Sequence, residues 1–300
     1  MPGSDDHTVE ETREVTAPLG VDGVLPPQIA VAAENAGAAK GRQDTLSTLL
    51  LAILAGAFVA MGAIFSTITI VGAEGLPFGA TRLLAGVTFC LGLILVVVAG
   101  AELFTGNNLL VMACVSRKLT LPQLLRNWGV VYVGNLLGAT ATAAMMLLTA
   151  QYAMADGDVG LTALRIAEGK CNLSFTEALT RGIYCNALVC LAIWLCLSCR
   201  TTTDKILAIL FPITAFVAAG FEHSVANMYF IPVGLFIKQW AGPEFWQATS
   251  TSSDAYNTLT WEAYLLKNLL PVTIGNIIGG TLFVGVIYWV IYRRPRHYSE

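Results

Sequence analysis

Gly100-Ala-Glu102-Leu-Phe-Thr105-Gly-Asn107 and Gly220-Phe-Glu222-His223-Ser224-Val-Ala-Asn227 are two copies of one pattern, G-x-E-x-x-x-x-N. Each copy interrupts an apolar run. The first separates 83–101 from 103–116, and the second separates 206–221 from 223–237. Each pair of pieces is too long for one membrane-crossing helix, and each second piece is too short to cross alone. A second match follows in the next apolar run of each half, where Gly134-Asn135-Leu-Leu-Gly138 answers Gly275-Asn276-Ile-Ile-Gly279. Two motifs repeated in the same order point to an internal duplication.

The rest of the chain fits that reading. Its 300 residues are 55% hydrophobic and only 12% charged, against about 25% charged in a typical soluble domain. The mean hydropathy is +0.66. Stretches 45–73, 127–155 and 268–292 carry no charge, and 182–199 is just long enough to span. Each of the first three exceeds the roughly 20 residues that cross about 30 Å of hydrocarbon. A soluble enzyme and extensive disorder are excluded by this composition. The net charge of −3 and the lack of a basic stripe exclude a nucleic-acid binder. No secretory signal is expected ahead of the first apolar run, because the first 44 residues are polar and acid-rich.

The expected fold is therefore an all-α polytopic membrane protein of six spans, built from two three-helix halves, 45–153 and 174–292, with broken second and fifth helices. Three is odd, so the second half enters from the opposite side and the repeat is inverted. Residues 1–44 read as a cytoplasmic leader with a proline-started surface helix at 28–37, 45–292 as the membrane domain and 293–300 as a cytoplasmic tail. Of 17 basic residues, Arg82, Arg165, Lys170, Arg181, Lys238 and Lys267 fall on one side. The remaining eleven fall on the side of both termini, which the positive-inside bias makes cytoplasmic.

Chemistry is expected at the breaks. Interrupted helix is tolerated in a membrane only where it is buried in protein or lines a cavity, and matched breaks in the two halves mark a midplane site. Thr105 and Ser224 are N-cap types and would start the second half-helices, whose amino ends favour anions. His223 is the single histidine of the apolar region. It titrates near neutral pH, and an ionisable group inside a membrane is functional by default. Glu102 reads as satisfying backbone at its break, whereas Glu222 is balanced between that role and setting the charge of His223. Lys170, next to the start of a span, is either a solvated surface lysine or an attractor for anions. The seven cysteines, with a lone Cys196-x-x-Cys199, read as helix filler, and no metal or cofactor is expected.

The stretches AGAELFTGN, CNALVCLAIW, GFEHSVANM and NLLPVTIGNIIGG, spread over about 40–292, resemble the formate/nitrite transporter family, and FEHSVANM looks most like its formate-channel branch. The resemblance implies an aquaporin-like fold with one pore per protomer, assembled as a homopentamer in the cell membrane. It implies passage of a small anion, formate or alternatively nitrite or hydrosulfide, with proton involvement. Carried over by motif, His223 is the central pore histidine and Thr105 its partner. Asn276 and Asn186 are polar pore or support residues, and Lys170 is the vestibule lysine. Phe89 and Leu93 build one hydrophobic constriction, and Phe216 contributes to the other. An intramembrane enzyme is the reading from another class. The absence of any nucleophile–base motif argues against it.

Overall fold

The computed structural model describes residues 23–295. Every regular element among them is helical. Six helices are long and apolar enough to cross a membrane: α2 (Thr45–Thr69), α3 (Phe78–Gly100), α5 (Leu121–Leu148), α7 (Phe175–Ser198), α8 (Thr202–Ala219) and α11 (Ala263–Tyr292). The remaining helices are α1 (Pro26–Arg42), α4 (Val111–Val115), α6 (Asp158–Cys171), α9 (Ser224–Trp240) and α10 (Pro243–Ala248). The broken elements follow the sequence reading. The run after the first break is a short tight helix, Gly106–Leu110, continued by α4, and the run after the second is α9.

Local chemistry sets these boundaries. Asp44 accepts the Ser47 N–H at the start of α2, and Ser174 with Glu177 forms a reciprocal cap on α7. α3 and α8 stop at Gly100 and Gly220, whose φ values of 83° and 73° lie in the left-handed region that glycine alone adopts without strain. The last turns of α3 and two stretches of α11 are wound wide, in π geometry.

Two glycine seams hold the halves together internally. A Cβ on Gly138 would lie 2.0 Å from the Ile53 carbonyl oxygen, and one on Gly279 would lie 2.1 Å from that of Ile183. α5 thus packs on α2, and α11 on α7, with backbones nearly in contact, as small residues permit between membrane helices. The opposite faces of these helices expose large apolar side chains, among them Leu50, Leu54, Phe65, Leu137 and Phe283. Such a surface suits lipid or a neighbouring subunit.

α1 runs longer than the expected 28–37, and it does not lie free on the surface. Ile29, Ala30, Ala33 and Gly37 are buried, and the helix packs on Gly106–Leu110, α4, α5, α7 and the end of α11. Its fully buried Glu34 pairs with Lys118 at 2.8 Å and with Arg293 at 2.9 Å. α1 is also part of the repeat, because its end leads into α2 as the end of α6 leads into α7. The correspondence therefore reaches beyond 45–153 and 174–292. His7, His297 and the first 22 residues of the expected leader lie outside the described residues.

Candidate functional site

The backbone freed at each break is bound by one asparagine from the next span. Asn135 accepts the Phe104 N–H at 2.9 Å and donates to the carbonyls of Ala52 and Glu102 at 2.8 and 2.9 Å. Asn276 accepts the Ser224 N–H at 2.9 Å and donates to the carbonyls of Gly182 and Glu222 at 2.8 and 2.9 Å. The Glu102 and Glu222 amides donate to Leu51 and Arg181. Without these bonds the breaks would leave amide groups unpaired away from water, at several kcal/mol each. Asn186 ties the halves together, donating to the Asn108 side chain at 2.7 Å and to the Asn276 carbonyl at 2.6 Å. Asn186 and Asn276 thus spend their amides on the backbone and side chains at the breaks, and neither is among the residues lining the two cavities described below.

The two glutamates have matched partners. Glu102 pairs with Lys40 at 2.9 Å and accepts from Asn107 at 2.6 Å, while Asn107 also donates to Asn127. Glu222 pairs with Lys170 at 2.9 Å and accepts from Asn227 at 2.6 Å, while Asn227 also donates to Asn268. Asn127 and Asn268 in turn donate to the backbone carbonyls of Lys40 and Lys170. Both carboxylates are buried, and the opposing ammonium with its amide donors is what makes the charge tolerable there. The Lys170 ammonium also stands 5.3 Å from the Phe230 ring centre. Sequence reading missed Lys40, Asn127 and Asn268. Their signal is positional: each asparagine lies eight residues before its motif asparagine (127 to 135, 268 to 276), and Lys40 precedes the cap at Asp44 as Lys170 precedes Ser174.

Thr105 and His223 meet between the two breaks, the Thr105 hydroxyl lying 2.9 Å from Nε2 of the ring. Nδ1 accepts the Ala226 N–H at 3.0 Å. With Nδ1 used as an acceptor, a neutral ring carries its proton on Nε2 and donates it to Thr105. The N-cap of α9 is therefore His223 and not the expected Ser224, whose hydroxyl is buried without a partner among the described residues. Thr105 does not cap its half-helix either, because its hydroxyl is turned to His223.

Two cavities flank this pair. One, of about 340 Å³, is lined by His223, Glu222, Lys170, Phe89, Phe216 and Phe230 among others. The other, of about 460 Å³, is lined by Lys40, Glu102, Leu103, Asn107, Val96 and Lys205 among others. Phe89 and Phe216 were expected in separate constrictions. Their rings instead meet edge to face at 5.6 Å, on the Lys170 side. Phe230 stacks on Phe89 at 6.2 Å, and Phe216 stacks on the His223 ring at 5.9 Å. Leu93 is buried and lines neither cavity. Aromatic side chains thus close one side of a single neutral hydrogen-bonding pair.

Comparison with known proteins gives a consistent result. Residues 27–290 match the sequence pattern described as formate/nitrite transporter. The chain is 45% identical over 273 residues to the formate channel FocA of Escherichia coli (strain K12), a match covering 91% of this chain and 96% of the relative. It is 41% identical over 254 residues to formate channel FocA of Haemophilus influenzae, covering 85% and 89%. A solved structure described as a pentameric formate channel with formate bound matches with a TM-score of 0.80 at 42% identity, covering 83% of this chain and 98% of that one. A second, described as an FNT family ion channel, matches with a TM-score of 0.75 at 30% identity, covering 89% and 99%.

Proposed function

This chain belongs to the formate/nitrite transporter family, and from that premise we propose that it is a membrane channel for small monovalent weak-acid anions, formate before nitrite or hydrosulfide. The relatives are named as channels and transporters, not enzymes. The observation that carries the proposal is the Thr105–His223 pair, buried between two cavities that each hold a lysine–glutamate pair. Lys170 and its surroundings draw the anion into the outer vestibule. The anion takes a proton at His223, from the ring or from water bonded to it. The neutral acid then passes the apolar side chains of Phe89, Phe216 and Leu93, where a bare charge would cost several kcal/mol or more.

The geometry constrains the proton step. A second proton on the His223 ring can sit only on Nδ1, which holds the Ala226 N–H. The ring is therefore charged only while that bond is open; giving the Nε2 proton to the anion leaves the proton on Nδ1, and the capped neutral form returns once Nδ1 has released that proton to water and Nε2 has taken up another. We further propose a homopentamer with one pore per protomer, a reading supported by the likeness to a pentameric formate channel. The pentamer sits in the cell membrane with both termini cytoplasmic. The lysines and arginines gathered on the side of the termini support that orientation. Residues 1–44 precede the channel domain at 45–292, and 293–300 form the tail.

Flux of labelled formate into proteoliposomes tests the central claim. His223→Phe should abolish pH-dependent flux. Undiminished flux across about pH 5 to 8, the window in which a histidine titrates, would overturn the proton step. Competition among formate, nitrite and hydrosulfide at one pH ranks the substrates.

A further inference from the structure

The vestibule on the Lys170 side holds more positive charge than a monovalent anion needs. Arg82, Arg165, Lys170 and Arg181 line it, and Glu222 is the one carboxylate among its lining residues. Lys170 is committed to Glu222. Arg82 forks over the last carbonyls of α8, donating to Val217 and, at 3.1 Å, to Ala218. The guanidinium groups of Arg165 and Arg181 have no hydrogen bond or ion pair among the described residues. Glu177, one turn before Arg181 on α7, is held in the Ser174 cap. Glu74 and Asp158 share an adjoining groove with Arg165 without pairing to it. Arg82 and Arg181 are also close enough to repel one another.

Planar guanidinium groups are suited to oxyanions, which they bind through paired N–H donors. The open space is several times the roughly 30 Å³ that a water occupies in the liquid. We propose that this mouth is a binding site for a divalent oxyanion, held by Arg165, Arg181 and the edge of Arg82 outside the Phe89–Phe216 contact, and that its occupancy plugs the pore from that side. A divalent anion of strong acidity cannot be made neutral by one proton, so the apolar neck stops it. Binding stands on the arginines alone, whereas plugging rests on the channel reading above.

Sulfate is the probe, because it stays divalent from acid to neutral pH. Equilibrium binding of labelled sulfate to the purified full chain, at ionic strength held constant with chloride, should saturate at one site per protomer. The Arg165→Gln/Arg181→Gln double variant should lose at least tenfold in affinity. Arg200→Gln, just beyond the other end of α7, removes one positive charge and should leave binding intact. Absence of saturable binding, equal binding by the double variant, or equal loss in Arg200→Gln would overturn the site. In oriented vesicles, sulfate on the Lys170 side should raise the formate concentration giving half-maximal flux, and the double variant should resist it. Equal inhibition by chloride at matched ionic strength would overturn plugging. Sulfate binding without any formate flux would retain the site and refute the channel reading instead.

Discussion

Thr105 and His223, 118 positions apart in the chain, share a 2.9 Å hydrogen bond in the buried centre of the protein. The Ala226 amide fixes which ring nitrogen takes part. The neutral pore therefore presents a directed Nε2–H, and the Thr105 hydroxyl keeps its own hydrogen free for an anion.

This tautomer is measurable. Nitrogen-15 NMR of His223, in a chain with His7 and His297 replaced, should show a protonated Nε2 and a bare Nδ1 at neutral pH. Thr105→Val should remove the acceptor and leave a buried donor unpaired, at about 1–3 kcal/mol. Lower thermal stability together with lost flux is the expected outcome, and an unshifted ring spectrum would refute the geometry.

Lys170 and Glu222 are expected to be energetically coupled. Lys170→Met leaves a buried carboxylate without its cation and should destabilise the protein by about 3 kcal/mol. Adding Glu222→Gln should recover most of that loss, because the amide still accepts from Asn227 and Asn268. Melting of the three variants in detergent gives the coupling energy, and additive losses would contradict a pair. Formate uptake by the double variant should fall most at low formate, where attraction by the vestibule matters.

The glycine seams make a steric prediction. Gly138→Ala and Gly279→Ala each push a methyl group into a facing carbonyl. Each should cost about 1–3 kcal/mol through overpacking. Gly129→Ala, on the same helix as Gly138 but facing open space, should be neutral or stabilising by up to about 1 kcal/mol through helix propensity.

The Glu34 clamp sets a pH dependence. Burial by itself would raise the Glu34 carboxyl, but hydrogen bonds from Arg293, Lys118 and Ser116 and the charge of Arg293 hold it below its ordinary 4.5. A lowered folded-state value means that the stabilisation is present above about 4.5 and is lost as pH falls below it. Thermal stability should therefore be level from pH 7 to about 5 and drop below that. Glu34→Gln should be less stable at pH 7 and show a shallower acid drop.

Much of the architecture was legible in the chain. Charge-free runs longer than a bilayer require spanning helices, since no water there can satisfy an open backbone. The repeated G-x-E-x-x-x-x-N and the paired Gly-Asn motifs marked both breaks and the asparagines that bind them, because each half solves the same backbone problem with the same residues. His223 stood out as the one histidine in apolar surroundings. Other features depend on which side chains meet across the fold. That His223 rather than Ser224 caps α9 depends on a ring rotamer and on Thr105 arriving from the other half. That Phe89 and Phe216 share one contact depends on α3 packing against α8. Lys40 looked like an ordinary charge in a polar leader until α1 placed it over Glu102. Periodicity and composition report on neighbours along the chain and on the solvent each segment prefers. Partnerships between residues sixty to more than a hundred positions apart are decided only when the helices close on one another.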